Sequence, residues 1–153
     1  MATQYGGYMG KVLKIDLTKQ QVSEYPFTDE ERRLFIGGKT MAAKILGDYL
    51  TGKEKAFSEE NLLVITTGPM TGSGAPSSSR FNISTLSPQT GYITSSNCGG
   101  HFGYYLKKAG LDALILTGRC DRPTWIEINN EKVIFHDADG IWGMKTGETQ
   151  AAL

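Results

Sequence analysis

The stretch LDALILTGRCDRPTWIEINNEKVIFHDA, residues 111–138, determines the fold class that the sequence predicts. It contains three segments of strand-like composition with no helical pattern between them: DALILTG, TWIEIN and KVIFHDA. Alternation of apolar and polar residues is typical of β-strands, and Asn129-Asn130 is a favourable turn pair between the last two segments. Strands that follow one another in this way favour an α+β fold over a regular alternation of strands and helices.

The residues before this stretch predict further strands and a few short helices. Period-two alternation or short apolar runs predict five more strands: GKVLKIDLT, QQVSEYPF, LLVITT, RFNISTL and the first part of GYITSS. Helices are predicted to start at Thr28, at Lys39 and after Gly99-Gly100. The second helix presents four apolar residues on one face: Met41, Ala42, Ile45 and Leu46. The expected fold is therefore α+β and β-rich, with mixed or antiparallel sheets and few helices.

The composition excludes several classes of protein. The 153 residues suffice for one domain with a buried core, and 39% hydrophobic residues argue against disorder. Sixteen basic and sixteen acidic side chains cancel, so the net charge predicts neither a nucleic-acid surface nor an anionic-membrane surface. No apolar run is long enough to span a bilayer, and the first residues show no secretion-signal pattern. Two cysteines, Cys98 and Cys120, predict free thiols in a reducing cytoplasm.

A single cation stands in a long uncharged segment. Arg80 is the only formally charged residue between Glu60 and Lys107, and it ends the segment TGPMTGSGAPSSSR, residues 67–80. Eleven of these 14 residues are Gly, Pro, Ser or Thr, which predicts a loop. Guanidinium matches phosphate or carboxylate with paired hydrogen bonds, so a ligand anion is one explanation for this arginine. The others are a surface arginine at the start of a strand and a pairing with a distant acid such as Asp112.

A second candidate site is the segment SSNCGGHFG, residues 95–103, in which a strand is followed by two glycines and the start of a helix. Backbone N–H groups at such a point suit a phosphate, and Gly99 lets a ligand approach the main chain. Asn97 adds side-chain donors and tolerates left-handed backbone geometry. A tight turn that needs its glycines for its own geometry explains the same residues. The segment matches neither a dinucleotide fingerprint nor a P-loop, and Gly37-Gly38 before Lys39 has the same two interpretations.

The residues predict no catalytic set and no metal site. Cys98 lies beside the glycine pair, where a small structural residue is a simpler explanation than a nucleophile. His101 and His136 show no metal-ligand spacing with the two cysteines, and no Ser-His-Asp arrangement stands out. The prediction from residues alone is a glycine-lined, anion-receptive domain without catalytic residues of its own.

Several segments, in their order along the chain, resemble the N-terminal domain of the aldehyde ferredoxin oxidoreductase family, the tungsten enzymes of anaerobes. They are GKVLKIDLT, FIGGKTMAAKIL, FSEENLLVITTGPMTGSGAPSSSRFNISTLSPQTG, NCGGHFGYYLKKAGLDALILTGR and HDADGIWGMKTGET. The resemblance implies that residues 1–153 form the first quarter of a three-domain enzyme of about 600 residues. A helix start near Thr146, followed by about two turns of sequence, agrees with a fragment of a longer chain.

The resemblance also implies cofactors, partners and an activity. Two pterin dithiolenes would hold tungsten or molybdenum, and a 4Fe–4S cluster would lie beside them on residues outside this chain. The residue matching Arg80 would lie between pterin and cluster, and those matching Asn97 and Gly99 would contact the phosphate-bearing end of this tungstopterin. The implied reaction is two-electron oxidation of an aldehyde to a carboxylic acid, with electrons passed to ferredoxin or a similar carrier. Residues 1–153 alone would be inactive, and their partners would be the remaining domains of the same enzyme. The resemblance is also compatible with a homo-oligomer.

The sequence departs from the family pattern at three places. It has Lys39 where many members have arginine, and His101 where an aromatic residue is usual. The segment SSSR, residues 77–80, is closer to members of uncertain substrate, and some relatives reduce aromatic thioesters, so the substrate stays open. Two other functions also stay open. One is a self-contained domain that binds a phosphorylated small molecule, and the other is a structural or assembly module in which Arg80 pairs internally.

Overall fold

Eight strands and four helices make up the computed structural model, which describes residues 3–130 and 132–153. The strands are β1 (Val12–Asp16), β2 (Gln21–Glu24), β3 (Leu62–Thr66), β4 (Phe81–Leu86), β5 (Ile93–Cys98), β6 (Ala113–Thr117), β7 (Thr124–Asn129) and β8 (Lys132–Asp137). The helices are α1 (Asp29–Phe35), α2 (Gly38–Tyr49), α3 (Phe102–Lys108) and α4 (Thr146–Ala152). This order of strands and helices is the one that the sequence predicts.

Six of the strands form one mixed sheet in the order β2-β1-β6-β3-β4-β5. Neighbouring strands are antiparallel except β1 and β6, which run parallel with Val12 opposite Ala113. Strands β7 and β8 form a separate antiparallel hairpin. The predicted α+β fold with mixed and antiparallel sheets is thus confirmed.

Different elements cover the two faces of the six-stranded sheet. Helix α2 lies on one face, and its four apolar residues pack with Val12, Ile115 and other inward residues of β1, β3 and β6. On the opposite face, Leu106 of α3 and the inward residues of the hairpin pack against Ile15 and Leu114. The central strands are therefore buried on both faces, whereas β5, at the edge of the sheet, is exposed along most of its length.

The connection between α1 and α2 is short and lies close to β3. Helix α1 starts with a capping box, in which Thr28 and Glu31 each accept a hydrogen bond from the other's backbone N–H. It ends at Ile36, and α2 follows directly with Gly37 as its N-cap residue and no side-chain cap. This brings the start of α2 to the carboxyl end of β3.

Asn97 lies in strand β5 instead of the predicted turn, because it pairs with Asn82 of β4 and the ladder keeps its backbone extended. The turn is confined to residues 99–101, and α3 begins at Phe102. Gly100, with φ of +87°, adopts the left-handed backbone that was expected to be tolerated at Asn97. The sheet, and not a turn, thus determines on which face of β5 the Asn97 side chain lies.

Both cysteines are free thiols, Cys98 exposed and Cys120 partly buried. Within the described residues, no helix combines the length and the apolar character that crossing a membrane requires.

Candidate functional site

Glycine-rich segments lie at one end of the strands of the six-stranded sheet. The strand registers bring the N-terminal ends of β1, β4 and β6 to the same edge as the C-terminal ends of β3 and β5. We call the connections gathered there the glycine edge: residues 6–10, 36–38, 67–80 and 99–101. They contact one another directly, since the N–H of Gly38 donates to the carbonyl oxygen of Thr67 over 2.9 Å. Segments that are far apart in sequence thus form one surface.

Arg80 lies on the glycine edge, directly before β4. Because Phe81 pairs with Cys98, Arg80 and Gly99 are neighbours across the two strands. Arg80 is exposed and forms no ion pair with any other described residue. Its carbonyl oxygen accepts a hydrogen bond from the Thr71 hydroxyl at 3.2 Å, which holds the loop against the start of the strand. The two segments that the sequence marks as anion-receptive therefore lie side by side.

Asp112, the distant acid considered as a partner for Arg80, is paired with Lys107. The Lys107 Nζ lies 2.6 Å from a carboxylate oxygen of Asp112, and both side chains are buried. The same carboxylate accepts hydrogen bonds from the N–H groups of Met9 and Gly10, at 2.9 and 2.8 Å. These hydrogen bonds hold the N-terminal segment at the glycine edge. Removing either charge of the pair would destabilise this arrangement, because the other charge would stay buried without a partner.

Tyr8 connects two segments of the glycine edge. Its hydroxyl donates a hydrogen bond to the carbonyl oxygen of Ile36 at 2.7 Å, and its ring centre lies 5.6 Å from the Lys107 Nζ. Burial raises the pKa of the Tyr8 hydroxyl, and the negative charge of Asp112 raises it further. The hydroxyl therefore stays protonated at neutral pH and keeps its role as a donor.

Two glycines of this edge, Gly37 and Gly99, differ in whether the fold requires glycine at their positions. At Gly37, a Cβ atom would lie 2.6 Å from the carbonyl oxygen of Thr67 and 2.9 Å from the Cα of Gly68. Glycine is needed there so that α2 can start against β3. At Gly99, a Cβ atom would meet nothing within 4 Å, and the backbone is outside the left-handed region. The fold of the described residues does not require glycine at position 99, which favours close approach of a ligand as its reason.

A row of three polar residues runs across the sheet beside the glycine edge. Thr66, Asn82 and Asn97 occupy directly opposite positions on β3, β4 and β5, so they share the face of the sheet on which α2 lies. Thr66 donates to the carbonyl oxygen of Gly38 at 2.9 Å, and Asn97 is exposed at the outer end of the row. Asn82 is 1% exposed, and its Nδ2 donates to the Ser84 Oγ at 2.7 Å, but its Oδ1 has no hydrogen-bond partner among the described residues.

The sequence alone does not single out Asn82. Alternation in FNISTL assigns Phe81 and Ile83 to the inward face and Asn82 to the outward face. Only the position of α2 reveals that the second face is also covered. A buried amide at this position therefore has no local signal in the sequence.

The glycine edge carries exposed positive charge with little to oppose it. Arg80 and Lys39, in the first turn of α2, are both exposed. Residues 61–106 contain no aspartate or glutamate, and α2 directs the positive end of its dipole to this edge without a side-chain cap. This arrangement fits a ligand that carries phosphate or other anionic groups.

A cavity of about 490 Å³ at the opposite edge of the sheet is less suited to an anion. It lies between the β1–β2 turn, the segment after β6 and strand β8. Its cations, Lys19 and Arg122, are accompanied by Asp121 and Asp137, so the charges oppose one another. The glycine edge is therefore the stronger candidate site.

Comparisons with known proteins agree on one family. The family model of the aldehyde ferredoxin oxidoreductase N-terminal domain matches residues 12–153. A tungsten-containing aldehyde ferredoxin oxidoreductase of Pyrococcus abyssi is 40% identical over 147 residues, which are 96% of this chain and 24% of that protein. The WOR-like subunit of an aliphatic sulfonate oxidoreductase of Pyrococcus furiosus is 36% identical over 140 residues, 90% of this chain and 22% of that protein.

A solved structure shares the fold. The active-site complex BamBC of benzoyl coenzyme A reductase, solved with 1,5-dienoyl-CoA, superimposes with a TM-score of 0.93 and 35% sequence identity. The match covers 96% of this chain and 22% of that one. The chain thus spans about a quarter of the length of the relatives that it matches.

Proposed function

The chain belongs to the aldehyde ferredoxin oxidoreductase family, as an N-terminal domain, and from this premise we propose that residues 1–153 are the platform that binds a tungstopterin in an oxidoreductase. The observation that carries the proposal is the meeting of Arg80, Asn97 and Gly99 at one edge of the sheet. An exposed cation, an exposed amide and a glycine with no cause in the fold together fit a large anionic ligand.

Each of the three residues has its own task in this proposal. The Arg80 guanidinium binds an anionic group of the pterin through paired hydrogen bonds. The Asn97 amide donates to the phosphate-bearing end, and Gly99 lets that end approach the main chain. When bound, the metal of the cofactor supplies the centre that takes up the two electrons of the oxidation. A nearby cation stabilises the reduced, more negative form of redox centres, so Arg80 would set part of their potential.

The reaction that we assign to the complete enzyme is oxidation of an aldehyde to a carboxylic acid. Electrons would leave through a 4Fe–4S cluster to ferredoxin or a similar carrier. Tungsten-containing aldehyde ferredoxin oxidoreductases of 36–40% identity support this assignment, and tungsten is favoured over molybdenum for the same reason. The cluster ligands and the substrate pocket would lie in other domains, and the free thiols agree with a reducing, cytoplasmic location.

Exposed apolar residues favour a domain that packs against more protein over a self-contained binding domain. Phe57 is 90% exposed, and Tyr92, beside the edge strand β5, is 77% exposed. Tyr105 and Trp142 are exposed as well. We propose that these side chains pack against the remaining domains of the same enzyme, which would remove their apolar surface from water.

The proposal is tested by removing the cation in the complete enzyme. We expect Arg80→Ala to lower the pterin and tungsten content per polypeptide by about tenfold, the effect of losing charge-assisted hydrogen bonds. Cofactor that remains should show a more negative reduction potential, since a neighbouring positive charge is gone. Metal is measured by mass spectrometry, and pterin by fluorescence after release.

Arg119→Ala is the matched control. Arg119 is also exposed, but it lies at the end of the sheet opposite the glycine edge, where its Nε is 3.8 Å from the Glu59 Oε1. Its removal should change neither cofactor content nor potential. Unchanged content and potential in Arg80→Ala would refute the assigned role. A wild-type protein that lacks pterin but binds pyrophosphate would favour the self-contained phosphate-binding domain, and binding of neither would favour the assembly module.

A further inference from the structure

The buried Oδ1 of Asn82 is a hydrogen-bond acceptor that no described residue satisfies. The side chain is 1% exposed, and its Nδ2 is fixed by the hydrogen bond to the Ser84 Oγ at 2.7 Å. This bond leaves Oδ1 as the free end of the amide. Buried polar atoms without a partner are rare and cost free energy. We therefore expect a hydrogen-bond donor from outside the Asn82–Ser84 pair to reach this oxygen in the complete enzyme.

Asn97 carries the donor that remains available along the polar row, since the Thr66 hydroxyl already donates to the carbonyl oxygen of Gly38. Asn82 and Asn97 are direct cross-strand neighbours on one face of the β4–β5 ladder. Side chains in such pairs have Cβ atoms about 4.5–5.5 Å apart, which is within reach of two amides. Asn97 is exposed at the edge of the sheet, so its amide is free to reorient. Its two N–H groups allow one to point inward while the other points to the glycine edge.

We propose that Asn82 is a positioning residue for Asn97. Its Oδ1 accepts one N–H of the Asn97 amide and thereby orients the other N–H toward a phosphate oxygen of the ligand at the glycine edge. This inference rests on the proposed function and adds a residue to it. Thr66 joins the opposite end of the row to the start of α2 by its hydrogen bond to the Gly38 carbonyl oxygen.

A double variant separates this role from a merely structural one. Asn82→Leu with Ser84→Ala replaces both members of the buried polar pair by apolar groups of similar shape, which is close to neutral or stabilising for a fold. We expect the thermal midpoint of the complete enzyme to stay or rise, while its pterin content falls about fivefold, the effect of one lost hydrogen bond. A structural role alone would make pterin content follow the thermal midpoint.

Asn82→Asp tests in a reversible way how close position 82 lies to the phosphate, because ionisation keeps an acceptor for Asn97 but adds a negative charge. A buried carboxyl group is favoured in its neutral form, which carries one O–H donor for Ser84 and one acceptor for Asn97, like the native amide. We expect this variant to keep its pterin at about pH 5 and to lose it at about pH 8, where the carboxylate forms and repels the phosphate. The wild-type protein should show no such difference between the two pH values.

The outcomes distinguish the two proposals. If the wild-type enzyme holds pterin and the double variant holds as much, Asn82 has no positioning role, and the proposed function stands. A crystal structure of the loaded enzyme with a water on the Asn82 Oδ1, and with Asn97 directed away, would also overturn the inference. If the wild-type enzyme holds no pterin, the proposed function fails, and the inference fails with it.

Discussion

At the scale of single residues, Gly99 is a glycine that the fold of this chain does not need. A methyl group there would have open space around it and an ordinary backbone conformation. We therefore expect Gly99→Ala to leave the free energy of unfolding unchanged or to raise it by about 0.4–1 kcal/mol, since alanine restricts the unfolded chain. Pterin content of the complete enzyme should fall, because the methyl group blocks approach to the main chain. Urea unfolding and a pterin assay measure the two effects.

Gly103→Ala is the contrasting variant. A Cβ atom there would lie 3.0 Å from the carbonyl oxygen of Ser79 and 3.3 Å from the Cβ of Phe81. Overpacking costs about 1–3 kcal/mol, and the higher helix propensity of alanine within α3 returns about 1 kcal/mol, so this variant should gain less stability than Gly99→Ala or lose some. A Gly99→Ala protein that is destabilised as much as Gly103→Ala, or that retains all of its pterin, would contradict the ligand-approach explanation.

Residue types at the site could be predicted from sequence, but their environment could not. The isolation of Arg80 in an uncharged segment is visible in the sequence, and so is the amide-glycine pattern of Asn97 and Gly99. Lys107 and Asp112 are only five positions apart, but the backbone of residues 7–10, which hydrogen-bonds to this pair, lies about a hundred positions away and gives no local signal. The buried state of Asn82 depends on α2 in the same way.

At the scale of elements, the hairpin β7–β8 is paired separately from the six-stranded sheet. Its described residues share no ladder with the six-stranded sheet, and it rests on that sheet through partly buried side chains: Ile126, Ile128, Val133 and Phe135. Within the hairpin, Trp125 stacks on His136 with ring centres 4.0 Å apart, and the His136 Nε2 lies 2.9 Å from a Glu127 oxygen. These contacts join the two strands to each other and not to the sheet.

Amide hydrogen exchange should reveal this difference. A two-stranded hairpin is marginal alone, so we expect the amides of β7 and β8 to exchange at least about tenfold faster than those of β3 and β6. The central strands open only with the whole sheet, because they are paired on both sides and buried. Exchange is followed by NMR or mass spectrometry at constant pH. Equal protection in hairpin and sheet would mean that the two unfold as one unit.

Elements with local signals are predicted well, and long-range pairings are not. The apolar face of α2 and the capping box of α1 follow from neighbours in sequence. Strand β5 continues through Asn97 because β4 supplies its partner, which overrides the local turn preference of Asn and Gly. The parallel pairing of Val12 with Ala113 joins positions about a hundred residues apart, and nothing in either segment alone specifies it.

At the scale of the whole molecule, the glycine edge exists only because the sheet gathers it. Its segments come from four parts of the chain, and the strand order places β3 and β6 between β1 and β4. Arg80 before β4, Asn97 near the end of β5 and the start of α2 at the end of β3 all lie at this edge, so cation, amide and helix dipole face the same side of the domain. The capacity of this surface to bind an anion therefore depends on the strand order and not on any one motif.

The surface carboxylates make stability depend on pH. Hydrogen bonds from the backbone and side chain of Thr51 lower the pKa of Glu54 from 4.5 to about 2. The Gln4 N–H and the Thr3 hydroxyl lower the pKa of Asp29, and hydrogen bonds from Lys44 and Tyr25 lower that of Asp48. A carboxylate whose pKa is lower in the folded state contributes stability that is present above its unfolded pKa and is lost as pH falls through the folded value.

For Glu54, the window of this loss extends from about 4.5 down to about 2. We therefore expect the free energy of unfolding by urea to fall steadily from about pH 5 to about pH 2, with a shallower slope in Glu54→Gln, because a neutral amide has no proton to gain in that range. Glu30→Gln is the charge-matched control, since it removes a carboxylate that makes no hydrogen bond with another described residue. Lys44 has the opposite sign: hydrogen bonds to Asp48 and Glu31 raise its pKa, so its contribution is complete below 10.5 and is lost only in alkali. An acid slope that is equally steep with and without the Glu54 carboxylate would show that the Thr51–Glu54 contact does not persist in solution.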